Sequence, residues 1–114
     1  MPAWSAAGTT SLSSGERLQV LLATDASGAG GFLQGFTLGA QPVPIALTIV
    51  NNSGQTVVLQ ASADNVTWLP VTSQGTAVSV ATGLAETFTV SSGLYYRLAN
   101  AVAIVAGGTI WVAR

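Results

Sequence analysis

Apolar and polar residues alternate along most of this chain with the period of two that is typical of β-strands. In VPIALTIV (43–50), Ile45, Leu47 and Ile49 fall on one face, and small or β-branched residues fall on the other. Because both faces are apolar or small, we expect a central strand that is covered on both sides.

The turn sequence NNSGQ (51–55) follows this strand, and TVVLQASA (56–63) then resumes the alternation, with Val57 and Leu59 on one face. Asparagine and glycine readily adopt the left-handed backbone angles that tight turns need. The pattern therefore predicts that the two strands pair with each other as a β-hairpin, the best defined in the chain.

A second hairpin is predicted in SADNVTWLPV (62–71), where Asp64 and Asn65 form the turn. Pro70 lies in the returning strand and cannot donate a hydrogen bond to a neighbouring strand. We therefore expect this strand to lie at the edge of a sheet or to end there.

Shorter alternating segments complete the pattern, namely RLQVLLA, FLQGFTLGA, TAVSVAT, AETFTV, GLYYRLANA and GGTIWVAR. No stretch has the apolar period of a helix. Short strands separated by Gly and Asn turns predict an all-β fold, a single antiparallel β-sandwich (Ig-like or jelly-roll) of about eight strands, spanning residues 16–114. Residues 1–15 are rich in Ser, Thr, Ala and Gly and are expected to form a flexible N-terminal arm, with Trp4 as its one large anchor.

Charged residues make up only 6% of the 114 residues, and the net charge is −1. Such a chain has no basic field to attract nucleic acid. It also has no run of the roughly 20 apolar residues that a membrane-spanning helix needs. A surface this poor in charge favours packing against copies of the same chain or against a larger body, so we expect a homo-oligomer.

The sequence offers no candidate catalytic, cofactor or metal site. It contains no histidine and no cysteine, and its four carboxylates are scattered. The glycine-rich stretch GAGGFLQG (28–35) lacks the lysine and the spacing of a phosphate-binding loop. An enzyme is therefore the least expected class.

Aromatic residues are the remaining candidates for partner binding. Trp68, Tyr95 and Trp111 could stack on a sugar if they are exposed, but we expect Trp68 to pack in the sandwich core or at a subunit contact. Arg97 lies in the middle of an apolar strand, and we expect it to pair with Glu86 or to reach a partner subunit, because an unpaired buried guanidinium is costly.

The C-terminal two-thirds of the chain, residues 43–114, resembles small β-sandwich structural proteins of tailed bacteriophages. The shared pattern is an apolar strand that ends in SxD, a short turn, a tryptophan with a following apolar strand, then GxYxRL and a final GxIxV. Its positions here are Ser62, Asp64, Trp68, Gly93, Tyr95, Arg97, Leu98, Gly108, Ile110 and Val112. Asn65 stands where a glycine often follows the aspartate.

The resemblance implies a non-enzymatic part of the virion, most simply a decoration (cement) protein on the capsid surface that is assembled in the host cytoplasm. Its partners would be the major capsid protein or other virion proteins, and it would work as an oligomer such as a trimer. A neck, tail or fibre protein and a carbohydrate-binding or adhesion module remain alternatives.

Overall fold

Thirteen β-strands form the regular secondary structure of residues 10–38, 44–91 and 94–114, which are the residues that the computed structural model describes. In chain order they are β1 (Thr10–Ser11), β2 (Arg17–Leu21), β3 (Gly31–Phe32), β4 (Phe36–Thr37), β5 (Ile45–Asn52), β6 (Val57–Ser62), β7 (Leu69–Pro70), β8 (Thr72–Ser73), β9 (Thr76–Ala77), β10 (Ser79–Val80), β11 (Leu84–Val90), β12 (Tyr95–Asn100) and β13 (Thr109–Ala113).

The strands form two main sheets. Sheet A has the order β1-β4-β12-β6-β10, with β3 also paired to β12 and β7 to β6, and sheet B has the order β11-β5-β13-β2. Strands β8 and β9 form a small separate hairpin. The predicted all-β sandwich is thus confirmed. It contains more strand segments than the eight expected because seven of the thirteen have only two residues, and the β1–β4 pair is parallel.

The core lies between the two sheets and is built from alternate residues of their strands. Sheet B contributes Leu47 and Ile49, while sheet A contributes Leu59, Tyr96 and Leu98, all of them buried. The Tyr96 ring also stacks on Phe36, with ring centroids 6.0 Å apart. Burial of these apolar side chains, each contributing about 1.5–3 kcal/mol, is the main force that holds the sheets together.

The predicted hairpin between β5 and β6 is wrong, because the two strands lie in different sheets. Strand β5 pairs with β11 and β13, whereas β6 pairs with β12, β10 and β7. Residues 53–56 therefore form an arch that carries the chain from sheet B to sheet A. Both strands still direct alternate apolar residues to the core, which is why the alternation pattern alone did not distinguish an arch from a hairpin.

The side chain of Asn51, only 1% exposed, holds this arch together. Its Nδ2 donates to the carbonyl oxygens of Gln55 and Val80, each at 2.8 Å. Its Oδ1 accepts hydrogen bonds from the backbone N and the Oγ of Ser53, at 3.1 and 2.7 Å. All the hydrogen-bonding capacity of this buried amide is therefore used, as burial of a polar group requires.

Strand β5 is central in its sheet, as its sequence predicts, but it is not covered by other residues on both faces. The strand is central in sheet B, between β11 and β13. Its outer face is open, however, and Val50 on that face is 40% exposed. The expectation of a strand covered on both sides is therefore wrong, since sheet A covers only the inner face.

The boundary predicted for the N-terminal arm is too late in the chain. Thr10–Ser11 pairs with β4, and the next residue, Leu12, is only 2% exposed in the core. Gly15 donates its backbone N–H to the carbonyl oxygen of Arg114 at 3.0 Å. Residues 10–15 thus belong to the sandwich, and the rest of the predicted arm, residues 1–9 with Trp4, lies outside the described residues.

The second predicted hairpin is confirmed. Strand β7 pairs with β6 alone, through Leu69 opposite Ala61 and Pro70 opposite Gln60. The proline is therefore at the edge position that its missing N–H favours. The loop that joins the two strands, residues 63–68, carries Trp68.

Candidate binding surface on sheet A

The outer face of sheet A brings together an arginine, two aromatic rings and an amide. In β12, Tyr96 and Leu98 point into the core, so Tyr95, Arg97 and Ala99 point outward. The register places Gln60 of β6 opposite Arg97 and Phe32 of β3 opposite Ala99. Because directly opposed residues share a face, Gln60 and Phe32 lie beside Arg97 on the outer surface. We call Phe32, Gln60, Trp68 and Arg97 the Arg97 cluster.

The Arg97 guanidinium lies against both aromatic rings. Its Cζ is 3.4 Å from the centroid of the Phe32 ring and 4.2 Å from the centroid of the Trp68 ring. Its Nε donates a 2.8 Å hydrogen bond to Oε1 of Gln60. These distances are within the range of strong cation–π contacts, which are worth about 0.5–2 kcal/mol each. Three neighbours therefore contact this planar group and favour one orientation of it.

Burial of Arg97 affects its electrostatics. The side chain is 9% exposed, and desolvation lowers the pKa of its guanidinium. Arginine nevertheless remains charged in proteins, because its ordinary pKa is so high. The expected pairing with Glu86 is wrong: Glu86 lies on β11 of sheet B, whereas Arg97 points outward from sheet A. The aromatic faces and the Gln60 amide take the place of a carboxylate partner.

The loop between β6 and β7 places Trp68 over Arg97. Asp64 orders this loop, because its Oδ1 accepts hydrogen bonds from the backbone N of Thr67 (2.8 Å), the backbone N of Val66 (2.9 Å) and the Oγ of Ser62 (2.9 Å). These donors, the two backbone amides first, lower the pKa of the Asp64 carboxyl to about 2. Asn65 adopts a left-handed backbone conformation, with φ of 61°, which asparagine tolerates better than most residues.

Apolar side chains that are open to solvent lie in and next to the Arg97 cluster. Phe32 is 44% exposed, and Val66, two residues before Trp68 in the same loop, is 79% exposed. Arginine and tryptophan are enriched among the residues that dominate the binding energy of protein interfaces. A partly apolar surface with a guanidinium at its centre is suited to binding a partner.

Of the five candidate residues from the sequence, the structure places three on this one surface. Trp68 and Arg97 are in contact, and Tyr95 is two residues before Arg97 on the same face of β12. Trp68 is half-buried on the outer surface, so of the two expected positions the sandwich core is wrong, while a subunit contact stays a prediction. Trp111 lies elsewhere, on the outer face of sheet B opposite Val50. Trp4 is outside the described residues.

Sequence reasoning missed two members of the cluster. Phe32 lies in a two-residue strand that follows the glycine-rich loop, and Gln60 is one polar residue in an apolar strand. A polar residue in the middle of such a strand was the available signal for Gln60. No local signal pointed to Phe32, because 65 residues separate it from Arg97 along the chain.

The part of the chain that the structure describes contains no group of three or more His, Cys, Asp or Glu residues that could hold a metal ion. Within residues 10–38, 44–91 and 94–114, there is also no helix that is long and apolar enough to cross a membrane. No protein-family model matches this chain, and searches of the curated proteins and of the solved structures find no match either.

Proposed function

We propose that this chain is a non-enzymatic structural protein of a tailed bacteriophage particle, in the role of a capsid decoration protein. The observation that carries the proposal is the way in which several residues of the phage-like pattern meet. Ser62 and Asp64 form the turn that orders the loop, Trp68 follows in that loop, and Arg97 lies beneath it. These four residues of the phage-like pattern therefore belong to one structural unit. Their contacts with one another are a physical reason for them to occur together in a sequence.

The mechanism follows from the chemistry of the Arg97 cluster. A partner that covers the outer face of sheet A buries Phe32 and Trp68 without having to displace many charged side chains. The guanidinium donors that Gln60 does not use can bind a carbonyl or carboxylate group at the centre of the interface. Since its neighbours already fix the arginine, little side-chain entropy is lost on binding. In a shell, many copies of this modest contact act together.

Quantitative mass spectrometry of purified particles from the source culture tests the proposal. A ratio to the major capsid protein of about one, or of one per few capsid subunits, is expected for a decoration protein. A trace ratio moves the protein to the neck, tail or fibre of the particle. Its absence from particles contradicts the virion role.

A carbohydrate-binding or adhesion module is the second candidate, favoured by the partly exposed rings of Phe32 and Trp68. Arg97 covers one face of each ring, so a sugar could stack only on the other faces. Glycan-array binding that is lost in Trp68→Ala and retained in Trp111→Ala, with both variants folded, would support this function over the virion role.

A further inference from the structure

Strand β11 forms an edge of sheet B that a further strand can join. It pairs with β5 through all seven of its residues, and no described strand pairs with its other side. In an antiparallel pair, alternate residues direct their N–H and C=O groups away from the partner strand. Proteins usually block such an edge with lysine, proline or a bulge. In β11 the sequence LAETFTV has neither lysine nor proline, its pairing with β5 has no register shift, and its one charged residue, Glu86, lies before the segment Thr87–Val90 that lines the groove described next.

A groove of about 270 Å³ runs along this open edge. Residues Thr87–Val90 of β11 form one wall, and residues 71–73 with Val78 form the other. No charged residue lines the groove, and its lining is half apolar (Val71, Val78, Phe88 and Val90) and half Ser or Thr. An engineered protein cavity of about 150 Å³ is large enough to hold benzene, so this groove has room for an aromatic side chain.

Residues 1–9 are long enough to reach along this edge, and they carry one side chain large enough for the groove. The sequence MPAWSAAGT carries no charged side chain, and Trp4 is its one large residue. Nine extended residues span about 30 Å, which exceeds the roughly 23 Å length of a seven-residue strand such as β11. Backbone pairing with the edge would supply affinity, and Trp4 in the groove would supply specificity.

The positions of the strands favour a second copy of the chain as the donor. The described chain begins at β1, which lies at the edge of sheet A farthest from β10. Strand β10, in turn, contacts β11 across the sandwich. Thr10, the first described residue, therefore lies on the side of the domain opposite the groove.

We propose that residues 1–9 of one copy add as a strand to β11 of a second copy, with Trp4 in the groove. Because donor and acceptor lie on opposite sides of each domain, the contact is head-to-tail, and it closes into a ring such as a trimer or continues as an open chain. The inference goes beyond the proposed function and takes up the homo-oligomer that the sequence predicts. It is tested on the purified protein alone, so its failure is distinguishable from failure of the virion role.

Disulfide crosslinking tests the pairing directly, because the chain has no cysteine of its own. A Ser5→Cys protein is mixed with an isotope-labelled Thr89→Cys protein under mild oxidation, and the mixed dimer is quantified by mass spectrometry. The matched control replaces Thr89→Cys by Thr24→Cys, at an exposed turn residue that follows β2 at the far edge of sheet B. We expect the Thr89 pair to crosslink roughly 10-fold faster or more, because docking raises the effective concentration of the two thiols.

Equal crosslinking at Thr24 and Thr89 would overturn the proposal. A chain that carries both Ser5→Cys and Thr89→Cys provides a second check. If its disulfide forms within a monomer, the proposal is overturned, because residues 1–9 of the same copy would then occupy the groove.

Sedimentation of the purified protein provides the second measurement. The wild type is expected to exceed the 11.4 kDa of a monomer, whereas deletion of residues 2–9 gives monomers. Trp4→Ala should weaken association about 30-fold, as expected for loss of a central tryptophan anchor. Thr89→Lys should also give monomers, because a charge blocks the edge, while Thr24→Lys should associate like the wild type. A wild type that is monomeric at every concentration would overturn the proposal.

Discussion

The Cζ atom of Arg97 lies over the Phe32 ring, 3.4 Å from its centroid, although the two residues are 65 positions apart in the chain. The contact exists because β3 and β12 pair in sheet A and place both side chains on its outer face. It links the glycine-rich loop before β3 to β12, the middle strand of the sheet that carries the candidate binding surface.

Replacement Arg97→Lys is expected to reduce the free energy of unfolding by about 1–2 kcal/mol. Lysine keeps the charge, but it lacks the planar group that contacts two rings and the Nε that binds Gln60. Urea denaturation measures the change. Arg17→Lys is the matched control, because Arg17 is exposed and contacts the single ring of Trp111 at 5.0 Å. Its effect should stay within about 0.5 kcal/mol. Equal effects of the two substitutions would contradict the structural importance of the Arg97 cluster.

Asn51→Asp should destabilise the domain by about 3 kcal/mol at pH 7. The substitution keeps the acceptor for Ser53, but it replaces Nδ2 with an oxygen that faces the carbonyl oxygens of Gln55 and Val80. A buried group that loses its donors costs about 1–3 kcal/mol, and more when it is charged. Thermal and urea unfolding would measure the loss.

Asn52→Asp is the control for this substitution, because the neighbouring Asn52 is exposed. Its stability should remain close to that of the wild type. If Asn51→Asp were equally harmless, the side chain of Asn51 would not be what holds the arch.

The sequence allowed the all-β fold to be predicted because strand alternation depends on neighbouring residues. Pairing partners depend on distant residues, and this is where the predictions failed. The turn sequence at 51–55 suits a hairpin as well as an arch, and the choice is made by Asn51 reaching Val80, 29 residues away. The N-terminal boundary failed for the same reason: Leu12 is buried by strands that lie later in the chain.

The candidate site was predictable to a similar extent. Tryptophan and arginine stood out in the sequence as large residues in a chain with few charges, so Trp68 and Arg97 were identified as candidates. Their mutual contact was not foreseen, because it requires both the β6–β12 pairing and the loop that Asp64 orders. Strand alternation in YYRLAN by itself puts Tyr95 and Arg97 on the face opposite Tyr96, and they lie there in the structure.

Gly108→Ala is expected to destabilise the protein by about 1–3 kcal/mol, because there is no space for a side chain. A Cβ at this position would lie 2.6 Å from Cα of Ser53 and 2.7 Å from the carbonyl oxygen of Asn52, both of them backbone atoms of the arch. Gly28→Ala serves as the control, since a Cβ there meets nothing within 4 Å. Differential scanning calorimetry should show a lower Tm for Gly108→Ala alone, and an unchanged Tm would mean that the arch can move away from β13.

Asp64 should make the stability of the domain depend on pH at the acidic end of the range. Its pKa is about 2 in the folded protein and 3.8 in the reference state, so the folded state favours the ionised carboxylate. The stabilisation is therefore complete above about pH 4 and is lost as the pH falls through 2. Asp64→Ala should have a lower Tm than the wild type at pH 7, and the difference should shrink as the pH falls toward 2.

Asp64→Asn separates the charge of this side chain from its role as a hydrogen-bond acceptor. The amide oxygen can still accept bonds from the backbone N–H groups of Val66 and Thr67, but it does not titrate. Its Tm should lie between those of the wild type and Asp64→Ala at pH 7, and it should approach the wild-type value near pH 2, where the aspartate itself becomes protonated. If the Tm difference between the wild type and Asp64→Asn is the same at pH 7 and pH 2, ionisation of Asp64 does not order the loop that carries Trp68.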